Sequence, residues 1–134
     1  LADVGAAVSP PLLPHVAADR VNRGLSRIYQ WNLLRTLKEN YRAKQELLAR
    51  SPVSWEDIHQ SRSFWEFDER VTAPMFGFES ARDYYDRTGS RRFLGEIDRP
   101  TLIVHARDDP FYTTELLPRE EELSPHVTLE LSKL

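Results

Sequence analysis

The chain has 134 residues, enough for one modest domain with a real core, and its 40% hydrophobic and 29% charged content is ordinary for a water-soluble protein. A net charge of −3 with scattered arginines gives no electrostatic basis for a nucleic-acid partner, and the lack of cysteine excludes disulfides, thiolate nucleophiles and cysteine-ligated zinc. No apolar run reaches the length of a membrane span and the first residues lack the basic start of a signal peptide, so the expectation is a soluble, cytoplasmic protein.

Val4 to Val8 reads as a short buried strand of small residues, cut off by Pro10 and Pro11, which can neither continue a ladder nor sit in mid-helix. A start of this kind looks like the interior of a domain, which fits a fragment. From about Val16 to Arg50 the pattern is helical, interrupted only at Gly24. Tyr29, Leu33, Leu37 and Tyr41 recur at i+4 with Leu25, Ile28 and Leu34 beside them, predicting one apolar stripe that packs as core against a polar face of Arg27, Arg35, Lys38, Arg42 and Lys44. Glu39 and Glu46 on that face argue against a role at a membrane surface.

Ser54 followed by Asp57 predicts a capped short helix, and Ser63 to Thr72 another, with Phe64, Phe67 and Val71 on one side. Pro74 and Gly77 predict a break before Ser80, which with Asp83 caps a helix containing Tyr84 and Tyr85. A further short helix is expected around Arg91 to Glu96, and the alternating Val127 to Leu131 reads as a half-exposed edge strand.

The most informative stretch is Pro100-Thr101-Leu102-Ile103-Val104-His105-Ala106-Arg107-Asp108-Asp109-Pro110. Thr101 to Val104 shows no alternation and is too short for a helix, which predicts a strand buried on both faces with Pro100 at its start. Two acids at the carboxyl end of such a strand are either a solvated turn or a functional address, because open α/β sheets place their ligands on that rim.

This motif resembles the seventh strand of an α/β-hydrolase, in which a small residue is followed at the third place by the acid of a Ser-His-Asp triad; Ala106 takes the small position and Asp109 is the match. Four more blocks in order resemble one branch of that superfamily, the YheT-type esterases, plant embryogenesis-associated proteins and animal abhydrolase-domain lipases. They are Gly24-Leu25-Ser26-Arg27-Ile28-Tyr29-Gln30, Phe67 to Pro74 with Gly77-Phe78, Asp83-Tyr84-Tyr85, and Leu123-Ser124-Pro125-His126-Val127. The resemblance implies a partial α/β-hydrolase fold: three parallel strands at one end of the sheet with a helical, lid-like insertion. Residues 1–14 would be strand and loop, 15–99 lid and connecting helices, and 100–134 strand, acid loop and last strand. It implies a serine esterase or lipase whose Asp109 is the catalytic acid, acting on a small acyl-ester or lipid substrate and needing no cofactor. In such enzymes Phe64, Trp65, Phe76, Phe78, Tyr84 and Tyr85 would belong to a covering region, although as individual residues they read first as helix core.

The nucleophile elbow Gly-x-Ser-x-Gly is not in this stretch, since Gly24-Leu25-Ser26-Arg27-Ile28 lacks the second glycine and lies on a helix. The triad histidine of the family follows the eighth strand, whereas His126 precedes the last strand here. His105, inside a strand, is expected to be a core histidine with a hydrogen-bonded ring, and His15 and His59 have no partner motif. A metal at His105, Asp108 and Asp109 is not expected, because strand side chains alternate and no second cluster converges. The chain alone would thus carry the acid without nucleophile or base, and the competing class is a non-catalytic helical binding module built on the same fold. An unpaired edge on the first strand would favour self-association.

Overall fold

The computed structural model describes residues 3–44, 46, 51–109, 111 and 113–132. Two compact units emerge, one formed by Leu1–Arg20 with Gly89–Leu134 and the other by Val21–Thr88.

The first unit is built on three parallel strands, β1 (Gly5–Val8), β2 (Thr101–Ala106) and β3 (Val127–Ser132), in the order β1-β2-β3. Gly5 pairs with Thr101 and Val8 with Val104 on one side of β2, while Thr101 pairs with Val127 and Ala106 with Ser132 on the other. Gly5 lets β1 lie close to β2, since a Cβ there would stand 3.1 Å from Thr101 Oγ1, a tight contact that the Thr101 side chain would have to relieve. One face of β2 is closed: Ile103 packs in a cluster with Leu12, Leu94 and Val127, and His105 is buried on the same side. Leu102, Val104 and Ala106 are only half-buried. The expected burial on both faces is therefore replaced by alternation, since a parallel strand reads as continuously apolar only where both faces are covered. β3 alternates as expected, with Val127 buried and Thr128 exposed.

Helix α1 (Pro14–Val21) begins at a proline, whose fixed φ and missing N–H suit the first helical turn. Val16 and Ala17 pack with Leu116. Beyond β2, Arg91 anchors the turns of this unit. Its guanidinium forks onto Glu122, Nε to Oε1 at 2.9 Å and Nη2 to Oε2 at 2.6 Å, while Nη1 donates to the Glu115 carbonyl at 2.8 Å. Glu122 also accepts the Arg119 amide at 2.6 Å. The Arg91 hydrogen bonds, with the Arg119 amide, push the Glu122 carboxyl down to about 2. This pairing therefore supports folding fully above about pH 4.5, the ordinary glutamate range, and is lost as pH falls towards about 2.

The second unit is helical. Helix α2 (Ser26–Ala43) follows Gly24, whose φ of 56° gives the break between α1 and α2. The continuation expected as far as Arg50 lies largely outside the described residues. Ser54 caps α3 (Trp55–Gln60) through the anticipated box, its hydroxyl accepting the Asp57 amide at 3.2 Å while the Asp57 carboxylate accepts the Ser54 amide at 3.0 Å. Ser63 caps α4 (Phe64–Phe67), accepting the Glu66 amide at 3.1 Å.

The break expected at Pro74 does not occur there. The chain widens into a π-turn at Asp68–Thr72 and runs on through α5 (Ala73–Phe76) to Gly77, which ends the run at φ 75°. Shifting the Ala73 amide to the Asp68 carbonyl changes the helical register just before a proline that cannot donate and would otherwise crowd the turn behind it. Asp68 holds this turn in place, accepting from Thr72 Oγ1 at 2.6 Å and from the hydroxyl of Tyr85 on α6 (Ala81–Thr88). Burial raises the Asp68 carboxyl above its usual range, against the pull of those two hydrogen bonds. Leu34, Val53, Ile58, Phe67 and Val71 form the core of the unit. Trp65 meets Tyr85 edge-on at 4.8 Å and Phe78 meets Tyr84 at 5.2 Å, so four of the six aromatics are engaged in ring contacts, whereas Phe76 stands 67% exposed.

The stripe expected to be the core side of α2 is divided. Ser26, Gln30 and Leu34 are buried, with Leu37 and Tyr41 packed against the core. Leu25, Ile28, Tyr29 and Leu33 point outwards at 82%, 65%, 57% and 44% exposure. Gln30 sits on the inner face because its amide is used there: Nε2 donates to Asn22 Oδ1 at 3.1 Å and Oε1 accepts the Phe64 amide at 3.1 Å. Periodicity located the apolar residues, but the side chosen for burial was the one that satisfied a polar link between α2 and α4.

Candidate functional site

The carboxyl end of β2 gathers the groups with chemical potential in the first unit. After Ala106 the chain turns, and the Asp109 amide donates back to the Ala106 carbonyl at 3.3 Å. Asp109 is half-buried, and its Oδ1 accepts the Phe111 amide at 2.8 Å, an Asx turn that fixes the carboxylate on the rim. Among the described residues Oδ2 accepts no hydrogen bond, so one oxygen of Asp109 anchors the loop while the other stays available. The Arg91 contact to the Glu115 carbonyl steadies the far end of the same loop. The role foreseen for Pro110 in directing the chain's exit lies outside the described residues.

Asp108 is exposed, and the turn amide of Phe111 bonds to Asp109 instead.

His105 lies in β2 at 3% exposure, and its Nε2 finds no partner among the described residues. The hydrogen-bonded core ring expected from the sequence is thus buried as foreseen but unsatisfied at that nitrogen. Desolvation lowers its affinity for a proton, outweighing the attraction of Asp109, which acts the other way. Ser26 is buried on α2 at 6% exposure, in the other unit. His126 is exposed and precedes β3; His59 is exposed on α3 and His15 half-buried on α1. No group of three or more His, Asp or Glu side chains placed to hold a metal occurs among the described residues, and no helix among them is long and apolar enough to cross a membrane.

Sequence reasoning missed the unpaired His105 nitrogen, and no local signal could have given it, because the deficit depends on what packs over the strand. It also missed the Arg91–Glu122 fork, whose members are far apart in sequence and ordinary in context.

No family model matches the chain, and no solved structure does. Curated relatives do. The chain is 35% identical over 134 residues to an Escherichia coli protein named "Putative esterase YheT", covering 98% of this chain and 39% of the relative. It is 31% identical over 107 residues to an abhydrolase domain-containing protein of Dictyostelium discoideum, covering 79% of this chain and 27% of the relative. It is 29% identical over 98 residues to a monoacylglycerol lipase of Saccharomyces cerevisiae, covering 73% of this chain and 22% of the relative. The chain thus spans well under half the length of each.

Because burial holds the His105 imidazole below its ordinary range, an unfolded chain takes up the proton first as pH falls. The stability contributed by neutral His105 is fully present above about pH 6.5 and is lost as pH drops below it. Urea midpoints measured across that interval are expected to fall for the natural sequence and to flatten in His105→Gln; an equally steep fall in the variant would assign the pH dependence elsewhere.

Proposed function

The chain is related to the α/β-hydrolase superfamily of esterases and lipases, and from that premise we propose that it carries the acid of a serine carboxylic-ester hydrolase, with Asp109 in that role. The observation that supports this is the placement of Asp109 three residues beyond Ala106, on the carboxyl rim of the middle strand of a parallel sheet, with Oδ1 anchored at 2.8 Å to the Phe111 amide and Oδ2 accepting no hydrogen bond among the described residues.

Oδ2 accepts the Nδ1 proton of a histidine, holding that ring in the tautomer whose Nε2 takes the proton from a serine hydroxyl. The serine oxygen attacks the ester carbonyl, the histidine returns the proton to the leaving alcohol, and water then hydrolyses the acyl-serine by the same route. Ser26 and the four histidines here are not assigned to those roles, and the proposal takes both partners from residues other than these. The substrate class is a small acyl ester or a lipid ester.

In a protein carrying this stretch together with the proposed serine and histidine, Asp109→Asn is expected to lower kcat on p-nitrophenyl esters by about 10⁴, the scale for losing a triad acid that enforces the tautomer. Asp108→Asn should stay within about tenfold of the unmodified protein and within about 0.5 kcal/mol in stability, as an exposed residue. A large kinetic loss for Asp108→Asn with Asp109→Asn still active would move the assignment by one residue. The stretch alone should not turn over; activity that vanished in Ser26→Ala would instead make Ser26 a nucleophile.

Self-association through β1 belongs to the same proposal. Gly5 and Ser9 donate inward, to the Pro100 carbonyl at 2.9 Å and the Val104 carbonyl at 2.8 Å, so the alternate residues Ala6 and Val8 turn their amides to the outer edge. Sedimentation should show concentration-dependent association that Ala6→Pro removes without disturbing the β1–β2 bonds. A monomer at about tens of micromolar, or association unchanged by the proline, would contradict an open edge.

A further inference from the structure

The outward face of α2 has no partner among the described residues, and its composition specifies what would cover it. Leu25, Ile28, Tyr29 and Leu33 are exposed at i, i+3, i+4 and i+8, forming one apolar strip over the first half of the helix. Along its flank runs a second line at helical spacing, Arg27, Trp31, Arg35, Lys38 and Arg42. Glu39 is the only acid in α2, and it is paired loosely with Arg35 at 3.8 Å in an exposed setting. The helix is therefore distinctly basic within a chain whose net charge is −3, and the objection that Glu39 and Glu46 raise to a membrane-surface role is removed by their places, Glu39 beyond the apolar strip that ends at Leu33 and Glu46 beyond the end of α2.

A cavity of about 260 Å³ opens on this flank, lined by Trp31, Leu34, Arg35, Lys38, Ser61 and Arg62. Three cations and an indole share its wall. The Lys38 ammonium is held in position by the carbonyls of His59 at 2.9 Å and Ser61 at 2.6 Å, leaving its third proton free for an anion. Arg35 stacks over Trp31, with its guanidinium carbon 5.3 Å from the ring centre. Glu66 lies close enough to act on Lys38, but its Oε2 accepts the Arg62 amide at 2.9 Å.

We propose that this face of α2 docks on a membrane surface containing anionic phospholipid. Leu25, Ile28, Tyr29 and Leu33 enter the boundary between headgroups and acyl chains, Trp31 lies at the headgroup level, and Arg35, Lys38 and Arg62 receive a headgroup phosphate. An apolar strip beside a basic flank with an interfacial tryptophan is the arrangement that holds a helix in the plane of a bilayer surface. Charge argues against a second copy as the occupant, because two such faces brought together would set Arg27, Arg35 and Arg42 against their own counterparts. The inference is independent of ester hydrolysis.

The chain lacks cysteine, so Leu33→Cys provides a single attachment point for an environment-sensitive fluorophore. Dioleoylphosphatidylcholine vesicles containing about one third dioleoylphosphatidylglycerol should bind the protein and shift the label into an apolar setting, while pure phosphatidylcholine vesicles bind much more weakly. Paired Arg35→Glu and Arg62→Glu changes should cost at least about tenfold in vesicle affinity, from roughly fivefold per surface charge. Ile28→Asp should abolish the fluorophore shift with the circular dichroism spectrum unchanged, since Ile28 is exposed. Inorganic phosphate should act no differently from other salts at matched ionic strength. The proposal is overturned by equal binding to neutral vesicles, by full binding in either variant, or by specific competition from free phosphate. A label already shielded in the absence of lipid would likewise overturn it, by assigning the face to a protein contact.

Discussion

The pairing of Gly5–Val8 with Thr101–Val104 is the constraint on which the first unit depends. Two strands so distant in sequence can lie parallel only if the chain between them leaves at the carboxyl end of one and returns to the amino end of the other. The chain leaves this unit at Arg20 and re-enters it at Gly89, with a separately cored helical unit between. Loop closure over such a distance is costly in entropy, though the cost grows slowly with length, and a segment folded on its own core lowers it further. Two small residues suit the pairing locally: Gly5 leaves room for the Thr101 side chain, and Ser9, at φ 47°, turns the chain away as soon as the ladder ends.

That pairing also determines where chemistry can occur. With β1 and β3 flanking it, β2 delivers its last residue, Ala106, to a rim and the next residues to a turn. The Asx turn at Asp109 and the Arg91–Glu122 fork then hold the loop by charge-assisted and backbone hydrogen bonds rather than by apolar packing. A carboxylate fixed by one oxygen loses little more freedom when the other oxygen takes a partner, which is the preorganisation an acid of this kind requires. Burial of His105 disfavours its protonated form, against the attraction of Asp109.

Local chemistry was legible in the sequence wherever a signal and its consequence lie within a few residues. Ser54 with Asp57 and Ser80, whose hydroxyl accepts the Asp83 amide at 3.1 Å, cap helices as read, and Ser63 adds a cap on Glu66 to the helix expected there. The three strands were found from apolar runs and proline positions. Non-local choices were not legible. Pro74 was read as a break because the π-turn that accommodates it arises from Asp68, Thr72 and Tyr85 acting together. The side of α2 that turns inward was misjudged because Gln30, polar and unremarkable in sequence, is the link to Phe64. Resemblance to a motif singles out Asp109 over Asp108 without giving their surroundings, and the Asx bond that distinguishes those surroundings, from the Phe111 amide to Asp109, depends on how the chain turns after β2.

The central claim is that the free oxygen of Asp109 orients a histidine beside a nucleophilic serine. Proton NMR of a protein carrying this stretch together with the proposed serine and histidine tests it most directly, because a carboxylate-bound Nδ1 proton resonates far downfield of other exchangeable protons. The account predicts one such signal, assigned to a histidine outside β2 and lost in Asp109→Asn while the protein stays folded. A downfield signal that survived Asp109→Asn, or that belonged to His105, would contradict it.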